Sequence, residues 1–308
     1  MIIASPAIRS RWMVALQHGT QIDSAFVGRL IANQFPHLRE LPVRAVENIG
    51  WDNRSFRLGD TLLVRMPTAE RYAAQIAKEQ MWLPRLAPYL PLAIPEPVAM
   101  GAPEAGYPFA WSIYRWIDGE TEATAPVSDA PALAADLAYF LRALWAISST
   151  GGPRAGAETF HRGGSLSSYD GQVRDALELI GEAYRATRIR EIWEKALATC
   201  WDKPAVWVHG DIAPGNLIVR QGRLCAVIDF GQLAIGDPAC DLAIAWRRFD
   251  AKSREIFRTE LGIDDATWDR GRAWALWKAS SIRAGLIQTN NIEASAAART
   301  LEQILQGS

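Results

Sequence analysis

The sequence predicts an α+β protein in two lobes, an N-terminal antiparallel sheet with helices followed by a mainly helical C-terminal lobe. Three observations predict it. Short apolar runs separated by Gly-containing turns crowd residues 43–66, the mark of antiparallel strands. Apolar residues recur at helical spacing over 70–86, over 131–147 and in nearly everything after 238. The chain has 308 residues, generous for one core and comfortable for two, and 49% of them are hydrophobic, enough to fill both. The division is expected after residue 116, giving lobes 1–116 and 117–308.

Residues 1–21 carry an apolar patch at 12–16 and no legible role. Asp23 can cap a helix that runs to Phe35, and Pro36 stops it. Strands follow at 43–48, 55–58 and 61–66, joined by Gly50-Trp51-Asp52-Asn53 and by the hairpin turn Gly59-Asp60. After the helix at 70–86, the prolines Pro84, Pro88, Pro91, Pro95 and Pro97 mark a linker, and 98–100 and 109–117 read as strands. A helix over 131–147 ends at Gly151-Gly152. The Gly- and Ser-rich stretch 156–168, with His161-Arg162-Gly163-Gly164, reads as a plain loop. Amphipathic helices are expected at 175–184 and 190–201, and further helices at 238–249, 253–261, 266–286 and 292–305.

The chemistry sits between these blocks, at 206–242. Val206, Trp207 and Val208 form a short strand that ends at His209-Gly210-Asp211, so Asp211 emerges at the strand's mouth. Asn216 follows. Residues 217–219 and 224–228 make a hairpin around the Gln221-Gly222 turn, and Asp229-Phe230-Gly231 closes it. The hairpin brings the chain back on itself, so Asp211, Asn216 and Asp229 can converge. Mg²⁺ takes one or two carboxylates plus phosphate oxygens, a set that Asn216 and Asp229 complete. Asp211 is then left to accept the proton of an attacking hydroxyl. His209 reads as a structural histidine that holds the loop, and Asp241 as a buried carboxylate bonding loop amides; Asp237 reads equally as a helix cap or as support for the site.

Asp-x₄-Asn followed by Asp-Phe-Gly is the pattern of kinases. Protein kinases have His-Arg-Asp where this chain has His-Gly-Asp, and only residues 232–235 separate Asp-Phe-Gly from Gly236-Asp237-Pro238, too few for a peptide-docking activation loop. On His209, Gly210, Asp211, Asn216, Asp229 and Asp241, the chain resembles the aminoglycoside phosphotransferase-like kinases, which include macrolide kinases and, more distantly, choline and homoserine kinases.

That resemblance, which runs from about Val43 onward, implies a protein-kinase-like fold with a nucleotide-binding first lobe and a catalytic, acceptor-binding second lobe. It implies ATP or GTP as donor, Mg²⁺ as cofactor, and a small hydroxylated acceptor such as an antibiotic or other natural product. A metabolite kinase of the choline or homoserine type, or a nucleotide-binding pseudokinase, are the rival readings. The hairpin tip ending at Asn53 is implied to fold over the phosphates, where small residues let backbone N–H groups approach oxygen. Arg65 stands where kinases place the lysine that grips the α- and β-phosphates, and Glu79 matches the acid that pairs with it. Residues 114–118 look like the hinge, with Ile113 as gatekeeper and the Tyr114 carbonyl and Trp116 N–H facing the adenine edge.

Composition narrows the partners. A net charge of −1 with no basic stripe argues against nucleic acid or a membrane surface. Cys200, Cys225 and Cys240 show neither metal-ligand spacing nor a paired framework, which suggests a reducing cytoplasm. Of the tryptophans, Trp246, Trp268, Trp274 and Trp277 hint at an acceptor with apolar surface, although core filling suits most of them. A polycationic acceptor needs carboxylates around it, and only scattered candidates such as Glu120, Glu122, Asp170 and Asp269 offer them. A neutral or singly charged, partly apolar acceptor is therefore expected, with the oligomeric state open.

Overall fold

A computed structural model describes residues 22–46, 53–104, 106–181, 185–289 and 291–306. The chain divides into two compact units, Met1–Ala87 with Pro95–Ile117, and Pro88–Ile94 with Asp118–Ser308. The N-terminal patch at 12–16 and the residues Gly50, Trp51 and Asp52 lie outside the described residues.

In the first unit, Asp23 Oδ1 accepts from Phe26 N at 2.8 Å and starts α1 (Ser24–Gln34) as the sequence suggests. Strands β1 (Val43–Ala45), β2 (Asn53–Leu58) and β3 (Leu62–Pro67) precede α2 (Glu70–Leu86), and β4 (Pro97–Gly101) and β5 (Trp111–Arg115) follow it. They form one antiparallel sheet in the order β1-β2-β3-β5-β4. Along β3 the side chains alternate, with Leu62, Val64 and Met66 buried in the core beneath α1. Arg65 therefore points to the opposite face. Pro84 lies inside α2 and marks no linker, because a proline near the helix end removes little bonding.

The second unit begins with what the prolines had suggested was plain linker. Ala93 N donates to Cys225 O at 3.2 Å and Ala93 O accepts from Val227 N at 3.0 Å, so Pro88–Ile94 pairs with the unit that holds those residues. The chain thus crosses between the units three times, after Ala87, after Ile94 and after Ile117, the last beside the boundary expected at residue 116. Here β6 (Glu120–Thr121) leads to α3 (Ala130–Ala146), α4 (Asp170–Ile180) and α5 (Ala186–Leu197). The latter two begin before their expected starts, since amphipathic periodicity fixes a buried face but not its ends. Strand β7 (Val206–Val208) is followed by the hairpin β8 (Leu217–Arg220) and β9 (Arg223–Val227), whose turn residues Gln221 and Gly222 both have positive φ, 53° and 73°. β6 joins that hairpin, and β10 (Ala234–Gly236), a strand too short to read from sequence, pairs with β7. A 3₁₀ stretch, Pro238–Ala243, replaces the first half of the helix expected at 238–249 and leads into α6 (Ile244–Arg247). Helices α7 (Ala251–Leu261), α8 (Asp265–Arg283) and α9 (Asn291–Gln306) complete the unit, with α8 buried along most of its length.

Candidate active site

Strand β7 delivers His209-Gly210-Asp211 into a loop that is pinned by buried polar atoms. Asp241, 0% exposed, takes the amides of His209 and Gly210 on its two oxygens at 2.9 and 2.7 Å. Its own burial pushes its carboxyl up, against the pull of His209 and the two amides. His209 is fixed from both sides. Its Nδ1 accepts from Asp211 N at 3.1 Å, which puts the ring proton on Nε2, and Nε2 donates to Ile228 O at 3.0 Å. Phe230 packs against the imidazole, centroids 4.5 Å apart. His209 is therefore a structural tie between the loop and the strand end, as its context in the sequence suggests.

The same ties gather the three candidate side chains. Asn216 Nδ2 donates to Asp211 O at 2.9 Å and lies 3.5 Å from Asp211 Oδ2. Ile228 N donates to Asn216 O at 2.9 Å, which sets Asp229 next to Asn216. Asp229 takes φ 67°, a left-handed conformation that Asp tolerates better than most residues. With Asn216 Nδ2 committed to Asp211, its Oδ1 remains to be offered. One amide oxygen and one carboxylate fit Mg²⁺ that also takes phosphate oxygens and water. Among the described residues no group of three His, Cys, Asp or Glu forms a self-sufficient metal cage.

Asp211 is surrounded by cations that the motif itself does not contain. Burial pushes its carboxyl up, but Lys278 first, then Arg162 and Arg247, outweigh it and hold the group below the ordinary aspartate value. Lys278 Nζ, from α8, stands 3.9 Å from Asp211 Oδ1. Arg162, from the stretch that reads as a plain loop, donates through Nε to Gln232 Oε1 at 3.1 Å and lies over the Trp277 and Trp274 rings at 4.5 and 5.1 Å. Sequence spacing gives no hint of these partners, which lie far from Asp211 in the chain. One negative signal was available: Ile212, Ala213, Pro214 and Gly215 supply no charge, so any cation at the loop must come from elsewhere.

In the first unit Arg65 Nη1 lies 3.4 Å from both oxygens of Glu79, which is 1% exposed. Tyr114 donates its hydroxyl to Glu79 Oε2, and Arg65 sits 5.9 Å from the Tyr114 ring centre. Burial first, then the Glu79 charge, pushes the phenol well above its ordinary value, so it stays a donor. Asn53 opens β2 with its side chain buried, and among the described residues its Oδ1 has no hydrogen-bond partner. Of the two backbone groups expected at the adenine edge, the Trp116 amide is already engaged. Trp116 donates its N–H to Thr61 O at 2.8 Å, so that amide serves the sheet and does not face a base. Antiparallel alternation turns Tyr114 toward β3 in the same way, whereas Arg115 faces the other side, donating to Glu96 O at 2.9 Å.

Three of the four carboxylates expected to gather around a polycation are occupied, Glu120 being exposed. Glu122 is buried against Arg248, Asp170 accepts from Arg174 and from Trp193, and Asp269 pairs with Lys195 at 2.7 Å. Asp237 both caps the turn after β10 and holds Arg270 at 2.7 Å. The four tryptophans are buried in the core of the second unit, Trp246 against Trp268 and Trp274 against Trp277, so core packing accounts for them rather than an acceptor wall.

A profile of the family described as Phosphotransferase enzyme family, APH, matches residues 45–274. Aminoglycoside 3'-phosphotransferases of Escherichia coli and Salmonella typhimurium are each 29% identical to this chain over 133 residues, 42% of this chain and 49% of theirs. The match therefore spans about half the length of those curated relatives. Among solved structures, the GDP complex of wild-type aminoglycoside 2'-phosphotransferase-IIIa superposes with a TM-score of 0.72 at 21% identity, covering 92% of this chain and 99% of that one. A macrolide 2'-phosphotransferase of Brachybacterium faecium does so with a TM-score of 0.57 at 22% identity, over 89% and 97%. At such identities the likeness is one of fold, and it agrees with the α+β, protein-kinase-like class expected from the sequence. With the profile covering most of the chain, the protein belongs to the APH phosphotransferase enzyme family.

Proposed function

We propose that this protein transfers the γ-phosphoryl group of ATP or GTP to a hydroxyl of a small molecule, an antibiotic or another natural product. The observation that carries the reading is the hydrogen-bonded unit in which Asn216 Nδ2 reaches Asp211 O, Ile228 N reaches Asn216 O, and His209 spans from Asp211 N to Ile228 O. It holds Asp211 and Asn216 together and brings the backbone before Asp229 beside them, in keeping with the residue order that phosphoryl transfer uses. Related proteins crystallised with GDP, with ADP and with ATP plus streptomycin are in keeping with a nucleotide donor.

In this reading Asp211 accepts a hydrogen bond from the acceptor hydroxyl and takes its proton as the new P–O bond forms and the bond to the nucleoside diphosphate breaks. Asn216 and Asp229 would hold Mg²⁺, which supplies neutralisation of the phosphate charge when bound. Arg65, oriented by Glu79 and Tyr114, grips the α- and β-phosphates. Guanidinium suits this because it forks to two oxygens and stays charged. Asn53 stands at the foot of the hairpin that approaches the phosphates, and the base edge is read by Arg115 O and Ile117 N–H, one residue on from Tyr114 and Trp116. The acceptor is neutral or singly charged rather than polycationic, because Glu122, Asp170 and Asp269 are committed elsewhere. A cytoplasmic setting, where nucleoside triphosphates are at hand, suits the activity. Among the described residues no helix is long and apolar enough to cross a membrane.

The test is a screen of hydroxylated compounds with Mg²⁺ and ATP or GTP, scored by mass spectrometry for one added phosphate and by nucleoside diphosphate release. Asp229→Ala should weaken Mg²⁺-dependent nucleotide binding about tenfold or more while leaving metal-free binding unchanged. Equal Mg²⁺ dependence in the variant and the wild type would remove Asp229 from the metal site.

A further inference from the structure

We propose that Arg162 is a further catalytic residue, its guanidinium binding the non-bridging oxygens of the phosphoryl group as it passes from nucleotide to acceptor. The inference rests on the phosphotransfer reading and deepens it. It gives a role to His161-Arg162-Gly163-Gly164, which reads in the sequence as a plain loop.

That stretch is built to hold one side chain in place. Phe160 and His161 take φ 48° and 55°, two successive left-handed residues that are not glycine, and Gly163 follows at 77°. Such backbone persists only where its surroundings dictate it, and it gathers at functional sites. Here the surroundings are tight. Tyr169 Oη donates to Phe160 O at 2.6 Å, and Asp237 N donates to Gly163 O at 2.7 Å. A Cβ on Gly236 would collide with that same Gly163 oxygen, so the turn lies directly on the backbone at the end of β10. It lies on the catalytic loop as well. A Cβ added to Gly210, the residue before Asp211, would stand 3.0 Å from Arg162 Cβ.

An arginine so placed faces both sides of the transfer. Its Nε donates to Gln232 Oε1 at 3.1 Å, and Gln232 follows Asp229-Phe230-Gly231, the side that would hold Mg²⁺. Its charge also acts on Asp211, where the acceptor hydroxyl is to be received. The phosphoryl group travels between those two points. The side chain is 9% exposed and lies over the Trp277 and Trp274 rings of α8, which hold a guanidinium without using its N–H groups. An arginine has five donors, and Gln232 takes one. Among the described residues the others meet no hydrogen-bond acceptor, and no carboxylate lies within 4.0 Å. Lys278 and Arg247 differ, since Asp211 and Glu293 oppose them. Arg162 is singled out by its uncommitted donors and their place, not by a count of charges. In the transfer, the bond from the γ-phosphorus to the bridging oxygen of the nucleoside diphosphate breaks. The bond to the acceptor oxygen forms, and the acceptor's proton goes to Asp211. Negative charge meanwhile spreads over three equatorial oxygens. A planar fork can meet two of them, and Arg162 keeps all its protons throughout. Donors fixed in place before the reaction need no reorganisation when that charge develops.

The test uses the full-length protein with Mg²⁺, ATP and the best acceptor from the screen above. Arg162→Gln should lower kcat roughly 10²–10³-fold, the usual effect of removing one preorganised donor, with the KM for ATP and for the acceptor nearly unchanged. Arg162→Lys should recover part of the loss, because it keeps the charge and loses the fork. A second readout needs no turnover. Aluminium fluoride, a mimic of the phosphoryl group in flight, should tighten Mg²⁺-ADP binding in the wild type beside the acceptor and fail to do so in Arg162→Gln. ADP alone should bind both equally. An undiminished kcat in Arg162→Gln overturns the inference. So does a change confined to the KM for ATP or for the acceptor, for then Arg162 binds that substrate and not the moving group. A lower kcat matched by a lower folded fraction, with the fluoride effect intact, makes Arg162 a packing residue and overturns it too. Absence of diphosphate release by the wild type with every acceptor removes the parent reading and the inference together. Should Arg162→Gln fail to fold, Arg162→Lys decides: a fall of about tenfold in kcat at unchanged KM supports the inference, and a smaller one overturns it.

Discussion

Gly210 shows how tightly the catalytic loop is set at single residues. Its φ is +85°, and a Cβ there would stand 2.7 Å from Gln232 O, a contact with backbone that cannot swing away. Gly210→Ala combines a strained backbone with that clash, and a loss of about 1–3 kcal/mol is expected. Urea denaturation should show the lower midpoint, and phosphoryl transfer should fall further than stability alone requires because Asp211 follows directly. An unchanged midpoint would mean that the loop relaxes. At this scale much of the site could be read in advance. His209, Gly210, Asp211, Asn216, Asp229 and Asp241 lie within one short stretch, and their bonds run to nearby amides that the residue order already implies. Lys278, Arg247 and Arg162 could not be read, because nothing in their local sequence points to Asp211; only folding brings them there.

Among the elements, β3 and α2 were predicted well because alternation and helical spacing are strong there, and with them came Arg65 and Glu79. Arg65→Ala should raise the apparent constant for nucleotide about tenfold, the size of a lost charge-assisted contact, and Arg65→Lys should recover part of it; unchanged nucleotide kinetics would make Arg65 a purely structural partner of Glu79. That the Trp116 amide is used within the sheet could not be read, for a physical reason. A strand's face alternates with each residue, and Trp111 to Tyr114 of β5 are buried on both faces, so the sequence carries no mark of which amides the ladder consumes. A second element-scale contact was invisible as well. Arg270 of α8, 4% exposed on its side chain, donates to both oxygens of Asp237 at 2.7 and 3.4 Å, clamping the helix to the turn after β10. Arg270→Ala would leave that carboxylate buried and unpaired, which costs about 3–5 kcal/mol in comparable sites. Chemical denaturation measures it, and a loss under 1 kcal/mol would show that water replaces the guanidinium.

For the molecule as a whole, the α+β class and the division into two units were evident from period and length, yet the boundary was not. Pro88–Ile94 belongs with the second unit because Ala93 bridges to the β9 strand, a pairing that a proline-rich composition conceals. The same limit applied to the tryptophans, whose burial in the second core depends on distant helices. A net charge of −1 gives no preference among acceptors, so selectivity has to come from local charge. The central claim is that this family member is a working phosphotransferase whose base is Asp211, and it is tested most directly by one paired measurement. Wild type and Asp211→Asn are compared for phosphoryl transfer to the best acceptor, with nucleotide affinity measured on the same samples. A fall of about 10²–10⁴-fold in transfer, with nucleotide affinity nearly intact, is the predicted result. Near wild-type turnover in Asp211→Asn, or a loss of nucleotide affinity in proportion to the loss of transfer, would contradict it.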